Sequence, residues 1–124
     1  MSKTVLVVDD DPAFLSALSQ SLNDVGYSVV TARDGREAME VIGNCPSLDA
    51  AIVDLALPDI GGFQIIAELG KVQKSPIPLL AVTGAYGDVY LEVAEYLGAS
   101  ASLRKPGDGE PLTTVVEAVG LLLK

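Results

Sequence analysis

Short apolar runs alternate with longer amphipathic segments along the whole chain. Four of these runs, the last being the weakest, have the length of buried strands: residues 5–8, 50–53, 79–82 and 101–104. A fifth strand is predicted over residues 27–32. Continuous apolar runs of this length are typical of strands that are buried on both faces of a sheet.

The segments between the strands carry helix signals. Asp11 is predicted to cap the first helix, with Pro12 at its first position. One apolar face of this helix is marked by residues three or four apart: Leu15, Leu18, Leu22 and Val25. Further helices are predicted over residues 34–42, 63–72, 86–97 and 111–123. The alternation predicts an α/β fold with βα repeats around a parallel sheet.

The predicted order of the five strands decides which strand ends become neighbours. Right-handed crossovers place helices on both faces of the sheet and give three layers. The order 2-1-3-4-5 puts the first and third strands side by side at the point where the chain reverses direction across the sheet. Open sheets of this kind bind ligands at the carboxyl ends of their strands.

Polar side chains follow four of the predicted strands. Asp9 and Asp10 follow the first, Asp54 the third, Thr83 the fourth and Lys105 the fifth. Crowded carboxylates repel one another unless a cation intervenes, and Mg²⁺ accepts a set of oxygen ligands. We therefore expect Asp9 and Asp10 to hold Mg²⁺ together with Asp54, and Asp54 to accept a phosphoryl group. Thr83 and Lys105 would stabilise the phosphoryl oxygens by a hydrogen bond and by charge.

Length and charge narrow the class of protein further. The 124 residues suit one domain over residues 1–124, and 49% hydrophobic residues allow a real core. The net charge of −9 disfavours direct binding of nucleic acid or of an anionic membrane surface. No signal peptide or membrane-spanning helix is expected from the pattern.

The absence of histidine and the single cysteine, Cys45, exclude several chemistries. Zinc sites of Cys and His, catalysis by histidine and a phosphohistidine carried by this chain all require residues that are missing. One cysteine cannot form an intrachain disulfide, which suits a reducing cytoplasm. A cytoplasmic protein is therefore expected.

The residues at the strand ends resemble those of a known family. The motifs are Asp9-Asp10, Asp54 followed by Leu55-Ala56-Leu57-Pro58 and Gly62, Thr83-Gly84, and Lys105-Pro106. Together they resemble the receiver domain of two-component response regulators, over essentially the whole chain. The resemblance implies a flavodoxin-like fold of the chemotaxis-regulator type. It also implies that a histidine kinase or histidine phosphotransfer protein phosphorylates Asp54, and that the backbone carbonyl of Ala56 joins the Mg²⁺ ligands.

Two positions depart from the family's pattern, and three flanking features add expectations. Ser102 stands where the family usually carries Tyr or Phe, and Gly107 where Phe is frequent. The tyrosines of the fourth helix are interpreted as half-buried helix residues in preference to a moving aromatic surface: Tyr86, Tyr90 and Tyr96. Ala56 and Ala85, each two residues beyond a site residue, are expected to influence the lifetime of the acyl phosphate. A cis Lys105-Pro106 bond would provide a rigid turn.

Signalling through protein contacts is the leading expectation, and two alternative functions stay open beside it. The fifth helix ends the given sequence at Lys124, so the expected output is protein binding or phosphate relay, unless the sequence is a piece of a larger protein. The resemblance places partner contacts, or those of a weak dimer, on the fourth helix, fifth strand and fifth helix. One alternative is a receiver-like module that binds partners without phosphorylation. The other is a haloacid-dehalogenase-like phosphohydrolase. Such a protein is expected to carry Thr or Val two residues after the second Asp of its motif, and that position is here Ala13.

Overall fold

Five strands and five helices alternate in the computed structural model, which describes residues 2–45, 47–72, 77–84, 88–107 and 109–124. The strands are β1 (Thr4–Val8), β2 (Ser28–Ala32), β3 (Ala50–Asp54), β4 (Leu79–Thr83) and β5 (Ala101–Arg104). The helices are α1 (Pro12–Asp24), α2 (Gly35–Asn44), α3 (Gly62–Val72), α4 (Asp88–Leu97) and α5 (Thr113–Leu122).

All strand pairs in the sheet are parallel, and the strand order is β2-β1-β3-β4-β5. This confirms the predicted topology. Every residue of β3 and β4 is buried, whereas β5 at the edge of the sheet is half-buried and ends in an exposed residue. The continuous apolar runs of β3 and β4 thus reflect helices on both faces of the sheet.

Two hydrophobic clusters fill the space between the sheet and its helices. On one face, Leu6 and Val8 of β1 belong to a cluster with apolar residues of α2, α3 and α4. On the other face, Val5 and Val7 belong to a cluster with residues of α1 and α5. Successive β1 side chains point to opposite faces, so one strand contributes to both clusters. The predicted three-layer flavodoxin-like sandwich is confirmed.

The first helix begins as the sequence predicts. The Asp11 side chain accepts hydrogen bonds from the backbone N–H groups of Ala13, at 3.0 Å, and Phe14, at 3.4 Å. Pro12 occupies the first turn, where its missing N–H has no helical partner to lose. Capping by Asp11 fixes where α1 starts, directly after the two acidic residues that follow β1.

Three local expectations are wrong. Val25 is 58% exposed because α1 ends at Asp24, and Phe14 joins the buried face instead. Tyr90 and Tyr96 are 42% and 90% exposed, whereas Tyr86 lies outside the described residues. Among the residues that the structure describes, no peptide bond is cis, including Lys105-Pro106. Proline permits a cis bond without requiring it, since the trans form stays favoured by roughly 0.5–1 kcal/mol.

None of the helices in the described part of the chain is both long and apolar enough to cross a membrane.

Candidate functional site

Two buried carboxylates lie side by side at the carboxyl end of the sheet. Val8 of β1 pairs with Val53 of β3, so Asp9 and Asp54 each follow one member of the same pair. Asp9 is fully buried and Asp54 is 3% exposed. Their proximity follows from the parallel register, which brings the ends of neighbouring strands to one edge.

Each of these carboxylates is held by a backbone N–H two residues further along the chain. Asp9 Oδ1 accepts a hydrogen bond of 2.9 Å from the N–H of Asp11, and Asp54 Oδ1 accepts one of 2.9 Å from the N–H of Ala56. Aspartate readily forms such turns with its own following backbone. The turns fix the orientation of both carboxylates before any ligand binds.

The ammonium group of Lys105 lies among the acidic residues. Its Nζ is 2.9 Å from Asp9 Oδ1, 3.8 Å from Asp54 Oδ2 and 3.9 Å from Asp11 Oδ2. It also lies 4.6 Å from the centre of the Phe14 ring. The Lys105 side chain is only 15% exposed, so its charge acts in a poorly screened environment.

A third carboxylate completes a group that suits a divalent cation. Asp9, Asp10 and Asp54 each offer an oxygen, and these oxygens lie within 4.8 Å of one another. Asp10 is exposed, which leaves the group open to solvent on one side. The buried Oδ2 of Asp9 has no hydrogen-bond partner among the described residues. A buried oxygen without a partner is costly, and a cation would satisfy it, so the donor set fits a hard cation such as Mg²⁺.

Burial shifts the titration of both inner carboxyl groups in the same direction. Loss of hydration raises the pKa of Asp54 to about 6, although the Ala56 N–H opposes this shift. Burial also raises the pKa of Asp9, against the Asp11 N–H and the hydrogen bond from Lys105. Carboxylates that carry a desolvation cost gain the most when a cation or an ammonium group neutralises them.

Thr83 and Lys105 are brought together by the pairing of β4 with β5. Thr83 is fully buried at the end of β4, and its carbonyl accepts a hydrogen bond of 3.0 Å from the N–H of Lys105. A Cβ added at Gly84 would meet only the Lys105 side chain, at 3.7 Å or more. A Cβ at Gly62 would lie 2.7 Å from the carbonyl oxygen of Asp54. Gly62 therefore allows α3 to begin directly against the end of β3.

Among the residues predicted for the site, the structure brings Asp9, Asp10, Asp54 and Lys105 into one cluster, with Ala56 hydrogen-bonded to Asp54. Thr83 ends the adjacent strand. Their individual roles stay predictions, and Ala85 lies outside the described residues.

Sequence reasoning missed two residues near the site, Phe14 and Asp59. The Phe14 ring contacts Lys105, and the Asp59 carboxylate contacts the start of α2. A signal for Phe14 was its position three residues after the Asp11 cap, one turn into the helix that follows the acidic pair. Asp59 gave no comparable signal.

Ser102 contacts the fourth helix. It lies half-buried on β5, and its hydroxyl donates a hydrogen bond to a carboxylate oxygen of Glu95 on α4. The position that usually carries an aromatic ring in the resembled family is thus occupied by a polar link between β5 and α4.

An acidic pocket therefore lies at the carboxyl ends of the strands of a flavodoxin-like sheet. Comparisons with known proteins identify the family that has this fold. The chain matches the family model of the response regulator receiver domain over residues 5–117. It is 37% identical over 114 residues to the transcriptional regulatory protein GlrR of Escherichia coli (strain K12), covering 91% of this chain and 25% of that protein.

Two crystal structures extend the likeness to the fold. A CheY-like response regulator receiver domain protein from Methanospirillum hungatei JF-1 is 28% identical with a TM-score of 0.88, covering 99% of this chain and 94% of that one. Response regulator protein TrrA from Thermotoga maritima, in complex with Mg²⁺ and BeF, is 28% identical with a TM-score of 0.81, covering 98% and 99%.

The chain therefore belongs to the response regulator receiver domain family. It spans from a quarter to about half of the length of the curated relatives it matches. The acidic pocket of Asp9, Asp10 and Asp54 fits the phosphoacceptor and cation site of such a domain.

Proposed function

We propose that this chain is one receiver domain over residues 1–124, and that Asp54 accepts a phosphoryl group from a histidine kinase or a histidine phosphotransfer protein. The observation that carries the proposal is the state of the Asp54 carboxylate. It is almost inaccessible, fixed by the Ala56 N–H, and flanked by Asp9 and Lys105. An isolated strand-end aspartate serving only a structural role would not need two further acidic groups and an ammonium group beside it.

The transfer step needs an ionised acceptor. A carboxylate oxygen of Asp54 attacks phosphorus, the bond from phosphorus to the donor's imidazole nitrogen breaks, and its electron pair stays on that nitrogen. With a pKa of about 6, Asp54 is mostly ionised at neutral pH. That nitrogen takes up a proton from solvent, so the products are an acyl phosphate on Asp54 and a neutral imidazole on the donor.

We further propose that Mg²⁺ is held by Asp9, Asp10, Asp54 and the backbone carbonyl of Ala56. When bound, the ion would neutralise negative charge that builds up on the phosphoryl oxygens. Lys105 would supply a second positive charge beside Asp9 and Asp54, and Thr83 would supply a hydroxyl donor. The unpartnered Oδ2 of Asp9 supports this assignment from the protein side.

The proposed role is signalling, with no turnover beyond the chain's own phosphorylation and dephosphorylation. Phosphorylation would shift a two-state equilibrium and change a protein-binding surface. We place that surface, or the contact of a weak dimer, on α4, β5 and α5 of a cytoplasmic protein. Exposed apolar side chains on α4 support the choice: Val89, Val93, Tyr96 and Leu97.

Phosphorylation can be tested by mass. The protein is incubated with acetyl phosphate and Mg²⁺, and its intact mass is then measured by mass spectrometry. We expect one added phosphoryl group on the wild type and none on Asp54→Asn. No gain by the wild type, together with no response to beryllofluoride, would favour a module that binds partners without phosphorylation. Turnover of small phosphate esters would instead favour a phosphohydrolase.

The metal assignment has its own test. We expect Mg²⁺ to raise the melting temperature of the wild type, by an amount that grows with concentration. Asp10→Asn should largely lose this response. Asp24→Asn removes the same charge from the exposed end of α1 and should keep it. Equal responses of the two variants would contradict the proposed ligand set.

A further inference from the structure

The loop that follows the acceptor strand is attached to a helix distant in sequence. This segment, residues 55–61, joins β3 to α3. Within it, Asp59 accepts hydrogen bonds from two backbone N–H groups at the start of α2: Gly35 at 2.8 Å and Arg36 at 3.0 Å. One carboxylate thus holds the loop against the first turn of another helix.

The helix's own cap, Asp34, does not satisfy all the backbone N–H groups at the start of α2. The first four N–H groups of a helix have no acceptor within the helix. In α2, the Asp34 side chain accepts a hydrogen bond of 2.8 Å from the Glu37 N–H, and the regular helical bonds begin with the Ala38 N–H, which donates to the Asp34 carbonyl at 3.0 Å. The N–H groups of Gly35 and Arg36 lie before that first helical bond, and Asp59 is the acceptor for both. The start of α2 is therefore completed by a residue of the loop.

The loop also packs closely on the backbone of α2. A Cβ placed at Gly35 would overlap the Cβ of Ile60 and lie 3.1 Å from the Ile60 Cα. Ile60 and Leu57 both pack against the core cluster on that face of the sheet. The absence of a side chain at Gly35 lets the loop approach far enough for Asp59 to reach the two N–H groups.

The attached segment is short enough to transmit a displacement to the acceptor. Only Leu57 and Pro58 separate Asp59 from Ala56. The Ala56 N–H fixes Asp54 Oδ1, and at its other end the loop is held by a bond of 3.4 Å from the Gly62 N–H to the Leu55 carbonyl. Releasing Asp59 would free one end of the segment that orients both Asp54 and the Ala56 carbonyl.

We propose that Asp59 is a positioning residue of the phosphoacceptor site, which it orders by holding the β3–α3 loop on the first turn of α2 next to Gly35. The inference rests on the proposed function, because the positioned groups are Asp54 and the Ala56 carbonyl. Consistent with contacts that favour the ionised form, the backbone N–H groups of Gly35, Ile60 and Arg36 lower the pKa of Asp59.

The test compares two losses of capping at the same helix. Asp59→Ala removes the acceptor that comes from the loop, and Asp34→Ala removes the helix's own cap. Phosphorylation by acetyl phosphate is timed by intact mass, and Mg²⁺ binding is measured as the concentration that gives half of the maximal rise in melting temperature.

We expect Asp59→Ala to slow phosphorylation by about tenfold, because small misplacements of a reacting group are costly. It should also raise the half-saturating Mg²⁺ concentration. Asp34→Ala should lower the melting temperature without magnesium at least as much, yet keep a near-normal rate and Mg²⁺ response. Asp59→Asn retains one acceptor oxygen and should recover part of the rate.

A glycine pair on the same helix supplies a matched control. Gly35→Ala places a Cβ against Ile60, whereas nothing lies within 4 Å of a Cβ at Gly43. We expect Gly35→Ala to reproduce the effect of Asp59→Ala on both measurements, and Gly43→Ala to leave them unchanged.

The outcomes separate this inference from the proposed function. Normal rates and Mg²⁺ binding in Asp59→Ala, or equal losses in Asp34→Ala, would overturn the positioning role. A wild type that takes up no phosphoryl group would overturn the proposed function, and the Mg²⁺ measurement would still decide whether Asp59 positions the acidic group.

Discussion

The carboxyl end of the sheet and the surface formed by α4 and β5 differ in how their polar groups are held. At the sheet end, Asp9 and Asp54 are 0% and 3% exposed, and each is bound by a backbone N–H. On the α4–β5 surface, Tyr96 and Val89 are 90% and 67% exposed. There the hydrogen bond between Ser102 and Glu95 joins two side chains and is exposed to solvent.

The difference reflects which groups stabilise the exposed or buried side chains of each region. Buried carboxylates require compensating groups, from the chain or from a bound cation, because they have lost most of their contact with water. An exposed apolar helix surface imposes no such requirement and is completed by whatever covers it. Residue identities at the sheet end are therefore tightly constrained by chemistry, whereas those on α4 and β5 are free to follow a partner.

If the two regions differ in this way, the buried acceptor should lower the stability of the fold, and this is the strongest effect that we predict. The folded-state pKa of Asp54 is raised to about 6, so ionisation of this group destabilises the fold. The destabilisation is complete above pH 6 and absent below the unfolded pKa of 3.8. The shift corresponds to at most about 3 kcal/mol. Without magnesium, we expect Asp54→Asn to be more stable than the wild type at pH 7.5, by urea unfolding.

The pH dependence separates this effect from simple repacking. The advantage of Asp54→Asn should shrink as the pH falls from 6 to 3.8, where the wild-type carboxyl group becomes protonated in both states. A difference of the same size at pH 3.5 and 7.5 would show that ionisation of Asp54 is not its cause. The ionised site would then lower the free energy of unfolding by little, as is expected for the α4–β5 surface.

A smaller effect is expected from the contact between Phe14 and Lys105. A cation over an aromatic ring contributes roughly 0.5–2 kcal/mol, more when it is shielded from water. In a cycle of Phe14→Leu, Lys105→Met and the double variant, unfolding free energies should show a coupling of about 1 kcal/mol. Phe63, which packs with the cluster on the other face, is the control, and Phe63→Leu should be additive with Lys105→Met. Additivity in both cycles would remove Phe14 from the site.

The strand ends were predictable because main-chain geometry fixes them. If the apolar runs are parallel strands, Asp9 and Asp54 must lie at the same end of the sheet, whatever conformations their side chains adopt. The pairing of Thr83 with the segment before Lys105 follows in the same way. These positions depend on strand order and register, both of which a strongly patterned sequence determines.

The missed contacts depend on details that periodicity does not contain. The bonds from Asp59 to α2 require a particular loop path between β3 and α3, and the Phe14 contact requires one Lys105 rotamer. Val25 fits the helical spacing, but α1 ends one residue before it, and helix ends are poorly fixed by sequence pattern. Tyr96 fits the helix as well, yet nothing in the described residues covers it.

The smallest effect is expected on the α4–β5 surface, where Ser102→Ala removes the hydrogen bond to Glu95. The bond is exposed to solvent, so its loss should change the free energy of unfolding by roughly 0.5 kcal/mol. The rate of phosphorylation by acetyl phosphate should not change, because the Ser102 hydroxyl bonds to Glu95 of α4 and not to a carboxylate of the pocket. Glu95→Gln keeps an acceptor oxygen and should behave like the wild type. If Ser102→Ala slowed phosphorylation as much as Asp59→Ala, the bond from Ser102 to Glu95 would be part of the link between the acceptor and this surface, and the identity of Ser102 would be constrained by the acceptor as well.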